Sequence, residues 1–132
     1  MQHPLKCFLI DNDEEDHEIF RMAMEEVDPD ILCYFADNGI SAINKLKNEE
    51  AFKPSCIFID MNMPLMNGNE CLQEIKKIER LHEVPVYIYS TAADPVTIAK
   101  AKQSGAADII IKPASFKGLT ELLSTLFKPQ KQ

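Results

Sequence analysis

An alternation constrains this chain more than any other feature. Largely apolar runs of four to six residues recur at 5–10, 31–36, 56–59, 84–89 and 108–111, the first broken by Lys6 and the last opened by Asp108. Runs that are apolar at successive positions, without strict alternation, read as strands covered on both faces. Between them lie segments whose apolar residues recur at helical spacing. In 14–27, Ile19, Phe20, Ala23, Met24 and Val27 share a face; in 39–48, Ile40, Ile43 and Leu46 do; in 67–81, Cys71, Leu72, Ile75 and Ile78 do. A fourth helix is predicted at 95–104. A fifth spans 115–127, with Phe116, Leu119, Leu122, Leu123 and Leu126 turned inward. Prolines fall at or near the ends of these segments, where a missing N–H does least harm. Asp13 suits the cap of the first helix and acids in its first turn suit the helix dipole, while Gly105 is placed to end the fourth. The pattern predicts one (βα)5 domain of the α/β class: a doubly wound parallel sheet, helices on both faces, right-handed crossovers. In such sheets a ligand sits beyond the carboxyl ends of the strands, where the strand order reverses.

Composition narrows the partners. The 132 residues suit one domain, 1–132, with a core of about 5–127 and a frayed tail at 129–132. A net charge of −7 argues against nucleic acid or an anionic membrane as partner. The acidity is uneven: residues 1–66 hold 14 acids and 5 bases, residues 67–132 hold 7 acids and 9 bases. Six acids lie within 11–18, readable either as a solvated first helical turn or as a cation site. No apolar stretch approaches the ~18 residues of a membrane span, and no signal peptide is visible. Cys7, Cys33, Cys56 and Cys71 have no zinc-ligand spacing and read as reduced, buried thiols of a cytoplasmic protein.

The fold gathers the residues at the strand ends along one edge: Asp11, Asn12 and Asp13 after the first, Asp60 and Asn62 after the third, Ser90 and Thr91 after the fourth, Lys112 after the fifth. Singly, each has an ordinary reading. Asp or Asn after a strand caps helices and makes turns, a lysine before Pro113 can be a solvated loop residue, and Ser90 and Thr91 can simply begin a loop. Jointly they carry chemistry. Adjacent carboxylates repel unless a cation neutralises them, and an all-oxygen ligand set favours a hard ion such as Mg2+. A carboxylate, a Mg2+ site, a lysine and a hydroxyl together suit phosphoryl transfer to an aspartate.

The stretches FLIDND (8–13), IDMNMPLMNG (59–68), YST (89–91), SGAAD (104–108) and IIKP (110–113) resemble the receiver domain of two-component response regulators. The resemblance covers about 5–127 and is closest in size to the single-domain chemotaxis type. It implies a flavodoxin-like sheet of order 2-1-3-4-5, the doubly wound order known for that type. It also implies roles. Asp60 resembles the phosphoacceptor, which takes its phosphoryl group from a histidine kinase or phosphorelay protein. Asp11 and Asn12 stand at the acidic pair, and Asp11, Asn12, Asp60 and the backbone carbonyl of Asn62 would contact Mg2+. Lys112 would pair with the phosphoryl oxygens, across a cis Lys112–Pro113 bond. Ser90 lies 30 residues after Asp60 and 22 before Lys112, the family's spacing for the switch hydroxyl, which leaves Thr91 at the small-residue position after it. Such a protein carries weak self-phosphorylation and autodephosphorylation chemistry rather than classical enzyme activity. It would be a monomer or weak dimer without an output domain, acting on a separate protein through the face of the fourth helix, fifth strand and fifth helix.

Two positions depart from the family pattern. Asn12 replaces the acid that is normally a direct metal ligand, which removes one negative charge and predicts weaker Mg2+ binding. Asp13, next to it, is expected to face away and cap the helix. Ile109 stands where many members carry an aromatic coupled to the switch hydroxyl, which leaves Tyr87 or Tyr89 nearby. Glu14, Glu15, Asp16 and Glu18 are expected to form an ordinary charged helix start. Asn12 is also the sole support for an alternative, a degenerate receiver that binds a protein partner without phosphorylation. A haloacid-dehalogenase-type phosphatase shares the Asp11-Asn12-Asp13 spacing, but the residues after Asp13 do not fit that class. A flavodoxin would need a Gly- and hydroxyl-rich loop where this chain has acids.

Overall fold

The computed structural model describes residues 5–127. Five strands, β1 (Lys6–Ile10), β2 (Leu32–Ala36), β3 (Cys56–Ile59), β4 (Val86–Ser90) and β5 (Asp108–Ile111), alternate with helices α1 (Glu14–Val27), α2 (Gly39–Asn48), α3 (Gly68–Lys76), α4 (Pro95–Gln103) and α5 (Phe116–Leu126). All strand pairs are parallel and the order is β2-β1-β3-β4-β5, as expected.

The central strands are buried on both faces, which explains their unbroken apolar runs. Successive side chains point to opposite faces, so each strand feeds two cores. Phe8, Ile10, Ile57, Ile59, Val86 and Ile88 pack with residues of α2, α3 and α4. Cys7, Leu9, Cys56, Phe58 and Tyr89 pack with Phe20, Ala23 and Met24 of α1 and Leu119 and Leu123 of α5. The second core is aromatic at its centre: Phe58 lies 5.3 Å from Phe20 and 5.8 Å from Tyr89, both edge to face. Cys33, Cys7 and Cys56 occupy one rung across β2, β1 and β3. All four cysteines are free, Cys33 only half-buried, and burial pushes the Cys71 thiol up to about 12 and Cys33 up to about 11.

Polar side chains cap the five α-helices. Asp13, Asn38, Asn67, Asp94 and Ser115 each accept a backbone N–H of the helix they precede. At α3 the cap is reciprocal, Glu70 Oε1 accepting the Asn67 N–H at 2.9 Å.

Several expected boundaries move. β4 starts at Val86 because Pro85 has no N–H to enter the ladder. The helix predicted over 67–81 ends at Lys76. The Lys77 N–H turns back to Glu74 and Ile75, Ile78 is extended, and a 3₁₀ turn, Glu79–Leu81, follows. Ile19, Ile40 and Phe116 are exposed rather than inward. Each lies at the margin of its apolar stripe, which periodicity locates less sharply than the centre. The tail expected at 129–132 lies outside the described residues.

Candidate phosphoacceptor site

Backbone ladders carry the site residues to one edge. The Asp11 N–H donates to Ala36 O (3.0 Å), the Asp60 N–H to Ile10 O (2.9 Å) and the Lys112 N–H to Ser90 O (2.7 Å). Each residue lies one position past its strand and inherits that strand's direction. They meet at the β1–β3 boundary, where neighbouring crossovers leave on opposite faces. An open pocket of about 390 Å3 forms there, lined by Asp11, Asn12, Asp13, Glu14, Asp16, Asp60, Asn62, Thr91 and Lys112.

Among the described residues, the buried polar or charged ones are Asp11, Asp60 and Ser90. All three are predicted site residues. Burying such groups costs free energy unless partners compensate, so three together at a strand edge mark a site rather than a core.

Lys112 is the cation of this pocket. Its ammonium lies 2.7 Å from Asp16 Oδ2, 2.9 Å from Asp11 Oδ2 and 3.7 Å from Asp60 Oδ1. It also stands 5.4 Å from the centre of the buried Tyr89 ring. Burial alone would pull its pKa down. Hydrogen bonds to Asp16 and Asp11, with the charges of Asp11 and Asp60, push it above the usual lysine value. Asp11 and Asp60 are not held down by that lysine, because burial outweighs its pull on both. Burial raises the Asp60 carboxyl, and the Asp11 charge adds to the rise against the pull of Lys112. Burial likewise raises Asp11, against hydrogen bonds from Lys112 and the Asp13 N–H. The pocket therefore holds more negative charge than its lysine neutralises.

The backbone around the acids is tied. Asp11 Oδ1 accepts the Asp13 N–H at 3.0 Å, and His17 Nε2 donates to the Asp11 carbonyl at 2.6 Å while its ring stacks on Phe35. Asp13 accepts the Glu15 N–H as the expected cap. Behind Asp60, the Gly68 N–H donates to Met61 O at 2.9 Å. A Cβ at Gly68 would stand 2.7 Å from both Asp60 O and Met61 Cα, so the approach of α3 to the end of β3 needs glycine. Leu65, in the same loop, is exposed at φ 71°, a left-handed conformation uncommon for a leucine.

Ser90 and Thr91 separate. Thr91 is exposed and lines the pocket mouth. Ser90 is fully buried, and its Oγ has no hydrogen-bond partner. Asn12 and Asn62 are exposed on the pocket wall. Ile109 is half-buried against the α2–α4 side.

Two expectations fail. The Lys112–Pro113 bond is not cis: every peptide bond among the described residues is trans, the isomer favoured by about 0.5–1 kcal/mol before proline. Asp16 is not part of a merely solvated helix start, because it makes the shortest contact to Lys112. The signal for it was present. Asp16 lies four residues before Phe20 and seven before Ala23, on the buried stripe of α1, where an acid has to find a partner.

The chain matches the response regulator receiver domain family over residues 7–124. It is 33% identical over 127 residues to a probable C4-dicarboxylate response regulator, DctR, of Bacillus subtilis (strain 168), covering 96% of this chain and 54% of that protein. It is 33% identical over 88 residues to the two-component response regulator ORR11 of Oryza sativa, covering 67% of this chain and 58% of that protein. The chain thus spans about half the length of the curated relatives it matches. Among solved structures, the phosphorylated cyanobacterial phytochrome response regulator RcpA superposes with a TM-score of 0.85 at 23% identity, covering 94% of this chain and 91% of that one. The Mn2+-bound response regulator Rcp1 gives 0.85 at 20% identity, covering 97% and 98%. These likenesses establish the shared fold.

Proposed function

This chain belongs to the receiver domains of response regulators, and on that footing we propose that Asp60 accepts a phosphoryl group from a phosphohistidine on a histidine kinase or histidine phosphotransfer protein. A carboxylate oxygen of Asp60 attacks phosphorus. The phosphorus–nitrogen bond breaks, its electron pair stays on the imidazole, and that nitrogen takes up a proton. Lys112 pairs with the phosphoryl oxygens. Ser90 donates its hydroxyl to one of them. Water later hydrolyses the acyl phosphate and returns the carboxylate and inorganic phosphate.

The observation that carries this reading is the buried trio of Asp11, Asp60 and Ser90, with the Ser90 hydroxyl unpartnered. A buried unsatisfied hydroxyl is costly, and an acceptor that appears only on reaction accounts for it.

The donor set fits Mg2+. Among the described residues no three His, Cys, Asp or Glu side chains are arranged to hold a metal. Asp11, Asp60, the Asn62 carbonyl and the Asn12 amide remain, and Mg2+ is commonly held by one or two carboxylates, with water and phosphate oxygens completing its shell. When bound there it offsets the negative charge of the incoming phosphoryl group.

Phosphorylation shifts an existing equilibrium between two forms, and the phosphorylated form binds a further protein. The chain has no helix, among the described residues, long and apolar enough to cross a membrane. A cytoplasmic place and kinase partners follow from the family reading.

Incubation with acetyl phosphate and Mg2+ tests it. The expected result is a labile mass increase of one phosphoryl group, absent in Asp60→Asn. No adduct at saturating Mg2+ would overturn the acceptor role and favour a receiver that binds its partner without phosphate.

A further inference from the structure

Asp16 has no part in the chemistry above, yet it takes the shortest bond of the pocket's cation. We propose that Asp16 is a positioning residue: it holds the Lys112 ammonium against α1 while Asp60 is free, and yields it when Asp60 carries a phosphoryl group. This rests on reading Asp60 as the acceptor.

The distances define the resting arrangement. Lys112 Nζ donates to Asp16 at 2.7 Å and to Asp11 at 2.9 Å, while Asp60 at 3.7 Å lies beyond hydrogen-bond reach. The ammonium is therefore committed to the α1 side. A phosphoryl group on Asp60 adds about −1.5 to −2 charges and strong acceptor oxygens. To pair with them, Lys112 must give up a carboxylate.

Burial decides which one. The Asp11 side chain is fully buried, and its other oxygen already holds the Asp13 N–H. Held below the surface of the pocket, it is reached by water far less than Asp16 and loses more when Lys112 leaves. The Asp16 side chain is 29% exposed on the first turn of α1, where water can replace the ammonium. The Asp16 bond is the one that breaks at least cost.

Asp11, Asp16 and Asp60 are the carboxylates within 4 Å of Lys112, so the neutral Asn12 leaves a wall on which Asp16 supplies a negative charge four residues further on. The price of that charge is a ligand-side lysine that starts in the wrong place for the phosphoryl group.

Beryllofluoride, a phosphoryl mimic, tests the proposal by titration at saturating Mg2+. Asp16→Asn keeps the side-chain shape and removes the charge. It is expected to tighten beryllofluoride binding about tenfold, or about 1.4 kcal/mol. Glu14→Gln removes a charge from the same pocket wall without touching Lys112, and is expected to change binding less than about twofold at exposed-charge energies. In a Lys112→Ala background, Asp16→Asn is expected to give no gain. A gain in affinity cannot come from a fold that is merely weakened. In the free protein, acetylation of the Lys112 amine, read by peptide mass spectrometry, is expected to rise severalfold in Asp16→Asn.

A wild-type chain that binds no beryllofluoride overturns the acceptor reading and this proposal with it. A wild-type chain that binds it, with Asp16→Asn no tighter than Glu14→Gln, overturns this proposal alone. So does Lys112 labelling that Asp16→Asn leaves unchanged.

Discussion

Two half-buried cations lie in different parts of this molecule and are held in opposite ways. Among the described residues Arg80, in the 3₁₀ turn after α3, donates only to backbone carbonyls: Phe52 O at 3.0 Å, Glu49 O at 3.2 Å, and Leu46 O in the last turn of α2. Lys112 donates, among the described residues, only to carboxylates. Carbonyls at a helix end are fixed dipoles that would otherwise be unpaired, and a planar guanidinium matches several at once. Carboxylates are charges on rotatable side chains, and an ammonium exchanges among them readily. One cation closes a structure and the other stays available. The type of acceptor, more than the degree of burial, distinguishes a fastener from a working part.

Lys112→Ala gives the largest expected effect. Removing the charge proposed to pair with the phosphoryl oxygens should slow labelling by acetyl phosphate about 100-fold, measured by quenched mass spectrometry. A rate within about twofold of wild type would break the comparison on the functional side. Arg80→Ala should do the reverse. Loss of charge-assisted bonds to α2 and to the segment at 49–52 should cost about 2 kcal/mol in urea unfolding, with the labelling rate little changed. If instead the rate falls and stability does not, the two cations have been assigned the wrong way round.

Gly68→Ala sharpens the picture between these extremes. Its Cβ has to displace the Asp60–Met61 backbone, an overpacking cost of about 1–3 kcal/mol, and it should slow labelling as well. Asp60→Asn is the smallest expected effect on stability, and its sign is opposite. Burial raises the Asp60 carboxyl in the folded state, so the native protein holds that proton more tightly than the unfolded chain does. Stability then falls as pH rises from the ordinary carboxyl range through the raised value. At pH 7 Asp60→Asn should unfold at higher urea than wild type, and the gap should close on acidification. A gap that widens towards acid would mean that Asp60 contributes stability as Arg80 does.

Most of the fold was legible in the sequence because burial on both faces writes itself as unbroken apolar runs, and polar caps mark where helices begin. The strand ends then placed Asp11, Asp60 and Lys112 together by topology. The features hidden from the sequence depended on contacts across the fold. Arg80 reads as a surface charge until its partners, 28 to 34 residues away in sequence, are known. Asp16 was hidden among neighbouring acids of α1, though its place on the stripe of Phe20 and Ala23 distinguishes it. Spacing favoured Ser90 over Thr91, but the unpartnered hydroxyl is a property of packing.

The contact at Gly68 has a mechanical consequence. Its N–H is bonded to the Met61 carbonyl, its Cα leaves no room for a side chain against the acceptor backbone, and the reciprocal cap of Asn67 and Glu70 fastens the first turn of α3 to it. With so little room between 60 and 68, a shift of Asp60 at the end of β3 pushes directly on the start of α3, which makes that helix the element first placed to feel a change at Asp60.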